Sequence, residues 1–410
     1  MSTALTDPLV TDRRTHPTAE RLLEVADRVL APTYKRPRTL FTQGAGAALF
    51  DADGHEFLDM TSGIAVLALG HQSSTVADAV REAADHPVHV SNLYHSGPAV
   101  ELAARLVELS FADSVFFANS GAEAVEAALK FARLAGGHGR RRIVHFAGSF
   151  HGRTMGALAA TDRPDYQDPF RPLPAGFVLA PWGADEALEH IDESTAAVVL
   201  EPIQGEQGVR VAEAGWVQRI AERCARAGAM LVFDEIQCGL GRTGRLWAHE
   251  DLGVTPDLLT VAKPLAGGLP IGAVLMTRAV ADALSPGCHG TTFGGGPLVT
   301  RVALAVLDRV SEPAFLSRVR ELGQHLGAGL EELTSHVTVE EIRGRGLMRG
   351  VRVSAPVADV VEAAFERRLL LVPSADNVVR VLPPLTVSRD ELDLAVRRLE
   401  AALTRVEGSS

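Results

Sequence analysis

Leu258-Leu259-Thr260-Val261-Ala262-Lys263, followed by Pro264 and the pair Gly267-Gly268, is the stretch from which the architecture follows. A short apolar run closed by turn residues reads as a buried strand, so a lysine is delivered from its carboxyl end to a glycine-rich edge. The same pattern recurs on both sides. Residues 114–117, 142–146, 196–200, 230–233 and 271–276 read as strands, and 99–109, 122–134 and 216–227 carry helical patterns. Alternation of this kind predicts an α/β fold: a mostly parallel sheet with helices on both faces. Ligands of such sheets sit beyond the carboxyl ends of the strands.

The chain holds only three lysines, Lys35, Lys130 and Lys263, against abundant arginine. Coding bias explains most of that scarcity, and a strand-end lysine is commonly just a solvated charge. A buried lysine, however, loses its proton and acts as a nucleophile or Schiff-base former, which arginine does not do. Lys130 falls inside a helical pattern and Lys35 in a basic segment beside Arg36. Only Lys263 ends a buried strand.

With 410 residues and a net charge of -11, the chain is long enough for two domains and too acidic for nucleic acid as its main partner. Residues 1–66 read as an N-terminal segment packing with a small domain. They comprise a mobile polar lead to about residue 40 with a short helix over 19–30, a hairpin over 48–59 turning at Asp53-Gly54, and a small-residue loop at 62–66. Residues 67–298 form a large domain. Residues 299–410 form a smaller α+β unit, with strands at 337–339, 347–353, 369–372 and 378–382 and helices at 357–367 and 389–403. Cys224, Cys238 and Cys288 are too scattered for a disulfide framework or a zinc site. Residues 1–20 lack a secretory apolar core and no run approaches membrane-span length, so the expected location is a reducing cytoplasm, away from membranes.

Asn119-Ser120-Gly121-Ala122-Glu123 follows a strand and opens a helix, with capping-box spacing between Ser120 and Glu123. An ordinary capped helix has this form. The glycine also lets a phosphate approach the free N–H groups at the positive helix end. Leu231-Val232-Phe233-Asp234-Glu235 ends an apolar strand in two acids. A nucleotide hydrolase would need a glycine-lysine phosphate loop, and no lysine here follows a glycine. Gly239-Leu240-Gly241-Arg242-Thr243-Gly244 matches a dinucleotide fingerprint literally, but no long helix follows it. Asp234 then reads either as a solvated carboxylate or as a buried anion for a cationic heterocycle. Phe150-His151-Gly152-Arg153-Thr154 offers an aromatic to stack on a ring and an arginine to clamp a carboxylate, or a loop whose phenylalanine is core. His151 reads as structural rather than as a metal ligand, and no metal is expected. A phosphate cap, a ring-pairing aspartate, a ring-covering aromatic and a strand-end lysine together fit pyridoxal phosphate.

These residues, with Ser91-Asn92-Leu93-Tyr94, Glu201-Pro202-Ile203-Gln204-Gly205-Glu206, Asp234-Glu235-Ile236-Gln237 and Gly290-Thr291-Thr292-Phe293-Gly294-Gly295, resemble the class III aminotransferases of the fold-type I pyridoxal phosphate group. Within that class the chain is most similar to the acetylornithine aminotransferases, over nearly its whole length. The resemblance implies that Lys263 holds the cofactor as a Schiff base and shuttles the proton. It also implies that Asp234 pairs with the pyridine nitrogen, Gln237 contacts the ring hydroxyl, and Phe150 stacks on the ring. Ser120, Gly121 and Ala122 would bind the phosphate, helped by Thr292 of a neighbouring subunit in a homodimer. Arg153 would take the substrate's distal carboxylate, and Arg380 the glutamate α-carboxylate, shielded by Glu206 while the first substrate is bound. The implied reaction moves the terminal amino group of N-acetylornithine to 2-oxoglutarate, in arginine biosynthesis. Another ω-amino donor (ornithine, 4-aminobutyrate or a carrier-linked lysine derivative) and a non-catalytic cofactor-binding relative are the alternatives. Leu67, Ser73-Ser74, Val125 and Gly296 depart from residues frequent in the family.

Overall fold

The computed structural model describes residues 18–137, 139–335 and 339–408. The expected polar lead over 1–17 and the strand positions 337 and 338 lie outside the described residues.

A seven-stranded sheet organises the molecule. Its members are β4 (Ser114–Ala118), β5 (Arg142–Phe146), β6 (Phe177–Ala180), β7 (Thr195–Leu200), β10 (Met230–Asp234), β11 (Leu258–Val261) and β12 (Gly272–Met276), in the order β4-β12-β11-β10-β7-β5-β6. Every strand is parallel to the rest except β12, which runs antiparallel to both β11 and β4. All six residues of β7 and all four of β11 are buried, as continuous apolar strands must be when helices cover both faces. The Gly121–Ala135 helix packs on β11 and β12 through an alanine-rich face that includes Ala124, Ala127, Ala128 and Ala132. Its small side chains let the helix lie close to the sheet. The Ala214–Ala227 helix starts where the Glu213 carboxylate accepts the N–H groups of Gly215 and Trp216, and stops at left-handed Gly228 (φ 68°).

Two four-stranded sheets flank this core. One contains β1 (Phe41–Ala45), β2 (Ala48–Asp51) and β3 (Glu56–Asp59), with β15 (Leu369–Leu370) added in parallel to β3. The other has the order β13-β14-β17-β16, from β13 (Val339–Arg345), β14 (Met348–Val353), β16 (Val372–Ser374) and β17 (Val378–Val381). A two-stranded ribbon, β8 (Ile203–Gln204) with β9 (Arg210–Val211), follows β7. The single strand expected over 369–372 is therefore two. The chain pairs with β3 through Leu369 and Leu370, then changes partner and pairs with β17 from Val372. The edge strand β6 and strand β1 were not expected from the pattern. No helix among the described residues is long and apolar enough to cross a membrane.

Candidate active site

The carboxyl ends of β4, β5, β7, β10 and β11 deliver Ser120, Phe150 with His151, Glu201, Asp234 and Lys263 to one cavity of about 500 Å³. Gln237, Arg153, Gly121 and Ala122 complete its wall. The turn and helix starts that follow these strands face the same edge, so loops far apart in sequence meet in one place.

Lys263 follows β11 by two residues. Desolvation lowers its pKa from the ordinary lysine value, partly opposed by the carboxylate of Glu206. That is the direction a nucleophilic amine requires. Asp234 is buried at the end of β10. Its Oδ2 lies 2.7 Å from Nδ1 of His151, and its Oδ1 accepts the N–H of Ile236 at 3.1 Å. His151 is therefore the group that fixes the orientation of Asp234, a role its sequence context left unseen. Its Nε2 is buried without a partner among the described residues.

Ser120 is the N-cap of the Gly121–Ala135 helix, with Oγ accepting the N–H of Glu123 at 3.2 Å. The second half of the expected capping box is displaced by one residue. The Glu123 carboxylate instead accepts from the N–H of Asn119 at 2.9 Å and from its side-chain amide at 2.8 Å. The N–H groups of Ser120, Gly121 and Ala122 consequently have no partner among the described residues. They form the unpaired positive end expected of an anion cradle. Packing also favours a small residue at 121. A Cβ there would approach Ile236 Cδ1 to 2.9 Å, and Ile236 itself lines the cavity.

Phe150 is anchored by its backbone, whose N–H donates to Glu201 Oε2 at 3.1 Å. Burial first, and the nearby charge of Asp234 second, hold the Glu201 carboxyl well above the ordinary range. Glu201 follows the last residue of β7, much as Asp234 ends β10, a position that its motif alone does not mark as functional. Tyr34 also reaches the cavity wall. Glu206 and Arg380 stand one step back from it. Arg380, 2% exposed, donates to Glu206 Oε1 at 2.5 Å and to Gln237 Oε1 at 3.3 Å. Burial acts to raise the Glu206 pKa, but the Arg380 charge overcomes it and the carboxyl falls below its ordinary value. Thr292 is the expected site residue that this chain brings neither to the cavity nor to the Glu206–Arg380 pair behind it. It lines a separate pocket with Asn92 and Tyr94.

The profile of the class-III aminotransferase family matches residues 29–403. The chain belongs to the class III aminotransferases. It is 46% identical to the acetylornithine aminotransferase of Rhodobacter capsulatus, over 92% of this chain and 98% of that one. It is 41% identical to that of Methanocaldococcus jannaschii, over 95% and 99%. Among solved structures, the ornithine aminotransferase of Toxoplasma gondii superposes with a TM-score of 0.91 at 32% identity, covering 97% of each chain. The N-acetylornithine aminotransferase of Stenotrophomonas maltophilia gives 0.82 at 33%, covering 95% of this chain and 100% of that one. Class III aminotransferases work with pyridoxal phosphate, and the residues of this aminotransferase fit that group. Three unpaired N–H groups suit a phosphate, a buried aspartate braced by a histidine suits a protonated ring nitrogen, and the lysine has the lowered pKa that imine formation needs.

Proposed function

We propose that the enzyme transfers the terminal amino group of N-acetylornithine to 2-oxoglutarate, giving N-acetylglutamate semialdehyde and glutamate. The observation that carries this reading is a pair of arginines in different states. Arg153 stands at the cavity wall with no hydrogen bond or ion pair to a described residue, while Arg380 is buried behind the Glu206 carboxylate. One pocket must take two amino donors whose charges lie at different distances from the reacting amine. An arginine always available and an arginine released on demand meet that need.

Pyridoxal phosphate, when bound, supplies the electron sink for charge developing at the amine-bearing carbon. Lys263 would hold it covalently and, once freed by the substrate amine, would take the proton from that carbon and deliver it to the cofactor rather than back to the donor. Asp234, held by His151, would keep the ring nitrogen protonated. Phe150 would cover the ring, Gln237 would meet the ring hydroxyl, and the N–H groups of Ser120, Gly121 and Ala122 would hold the phosphate. Arg153 binds the distal carboxylate of the amino donor. Arg380 is freed from Glu206 when glutamate or 2-oxoglutarate presents its α-carboxylate.

The working unit in this reading is a homodimer in which Thr292 serves the phosphate site of the neighbouring subunit. Support comes from its position outside this chain's own cavity and from the exposed apolar side chains Leu93, Tyr94 and Phe293 close by in sequence and space. A three-part division at residues 66 and 298, with the first segment joined to the last through β3 and β15, suits the same unit. The unbridged thiols of Cys224, Cys238 and Cys288 fit a cytoplasmic location. Ornithine is the competing donor, since the ornithine enzyme of Toxoplasma gondii gives the higher TM-score of the two structures above. A donor panel assayed by glutamate formation from 2-oxoglutarate decides. N-acetylornithine should give the highest kcat/KM, and a preference for ornithine or 4-aminobutyrate would overturn the assignment.

A further inference from the structure

Arg153 is exposed, carries no hydrogen bond or ion pair among the described residues, and yet has a defined place. Its guanidinium carbon lies 3.4 Å from the centroid of the Tyr166 ring, the separation of a face-on stack. The Phe150 ring, at 5.9 Å, is a looser neighbour. At 3.4 Å this stack is closer than the contacts of Arg36, Arg133, Arg210 and Arg309 with their rings, which lie at 5.0 to 5.7 Å, and it differs from the way Arg380 and Arg242 are held. Arg380 uses its donors on Glu206, Gln237 and Pro373, and Arg242 donates to the carbonyls of Leu347 and Pro383. A guanidinium held by its face keeps all five in-plane N–H groups available, in the fork that matches a carboxylate.

The turn that carries the ring is itself held. Tyr166 lies in the short Pro164–Gln167 turn of helix and donates its N–H to Arg163 O at 2.9 Å. Next to it, the Gln167 amide donates to the carbonyls of Leu158 and Thr161 at 3.1 and 2.7 Å. A second guanidinium, that of Arg163, sits 5.3 Å from the same ring and also donates to the Glu206 carbonyl at 3.4 Å. The Tyr166 turn thus spans from the free arginine to the loop bearing the shielding glutamate.

We propose that Tyr166 is a positioning residue for donor recognition: its ring fixes the plane of the Arg153 guanidinium while leaving every donor free for the distal carboxylate of the substrate. The proposal rests on the assignment of that carboxylate to Arg153. Tyr166 does not itself line the cavity and meets its wall only through Arg153, so its effect appears in binding of carboxylate-bearing donors and not in the proton transfer.

Steady-state kinetics of the holoenzyme test this with N-acetylornithine and with N-acetylornithine amide, in which the carboxylate is a carboxamide. Tyr166→Leu should raise KM for N-acetylornithine about tenfold, the range of a lost cation–π contact. It should leave kcat and the kcat/KM of the amide within about twofold. Tyr166→Phe, which keeps the ring face, should behave as wild type. Tyr166→Met serves as a second ring-deleting variant if the leucine protein does not fold, and the same KM rise is expected. In an Arg153→Gln background Tyr166→Leu should add nothing. If Arg153→Gln raises KM while both ring deletions leave it unchanged, the proposal for Tyr166 is wrong and the Arg153 assignment stands. If Arg153→Gln itself leaves KM unchanged, the underlying assignment is wrong. A fall in kcat for the acid and amide alike would also overturn the proposal, since it would mark a general disturbance of the site.

Discussion

The floor and the rim of the cavity are built on different principles. Lys263, Asp234 and Glu201 lie at or within two residues of buried strands in one sheet, so strand register alone sets their spacing. Arg153 stands on an exposed loop, and Arg380 comes from β17 of another sheet to meet Glu206 across 174 residues of sequence. In the proposed mechanism the chemistry rests on strand ends of one buried sheet, and substrate choice on a loop and a separable ion pair. A rigid floor gives a constant proton-transfer geometry for both donors, and a rim with a separable ion pair lets each donor seat differently.

This contrast predicts losses that differ in kind as well as in size. Lys263→Ala should lower kcat by at least about 1000-fold for every donor, because it removes both the covalent anchor and the proton carrier. Borohydride reduction of the wild-type holoenzyme followed by peptide mapping should find the cofactor on the Lys263 peptide, and label on another peptide would break the floor assignment. Asp234→Asn should cost on the order of 100-fold in kcat, again without regard to donor, since a neutral partner no longer stabilises a protonated ring nitrogen. Glu206→Gln should behave otherwise. With Arg380 unmasked, the single carboxylate of N-acetylornithine can bind the wrong arginine, so its half-reaction should slow about tenfold while the glutamate half-reaction is maintained. Equal slowing of both half-reactions, measured by stopped-flow, would erase the distinction between floor and rim.

The smallest expected effect concerns stability. The folded protein keeps a proton on Glu201 at pH values where the unfolded chain, with an ordinary glutamate pKa near 4.5, has released it. The folded state then binds more protons, and stability falls as pH rises from that value toward the higher folded pKa. Glu201→Gln removes the fall and still accepts the Phe150 N–H. Its Tm should exceed wild type by a few degrees at pH 7 and match it near pH 4. A Tm difference that does not change with pH would show that Glu201 is not the titrating group.

The floor was legible in sequence for the same reason that it is rigid. Apolar runs ending in Lys263 and Asp234 announce buried strands, and sheets of this class gather their strand ends at one edge, so position follows from pattern. The rim was not legible in that way. Nothing local marks Arg380 as the partner of Glu206, and only resemblance supplied the pairing that the structure then displays. His151 was read as structural, because sequence spacing shows metal ligands but not the second group behind a carboxylate. Tyr166 carried no signal at all, since a stack between an exposed loop and a helical turn leaves no periodic trace. The strand break at Leu371 escaped for a related reason: a change of pairing partner within one apolar run alters no residue type.

One detail of the large sheet acts as a ruler. The reversed strand β12 lies between β4, which leads to the helix start with its unpaired N–H groups, and β11, which leads to Lys263. At about 4.8 Å per neighbouring strand, that insertion sets the two groups about 10 Å apart. Adjacent strands would leave room for a phosphate alone, whereas two strand widths admit an aromatic ring as well. Because β12 begins at this edge with Gly272, whose missing Cβ leaves space for the Ser120 carbonyl, the gauge is kept open by a residue that contributes no side chain. A bulkier residue there would press on the Ser120 carbonyl and on Ala124, and so change the length the site can measure.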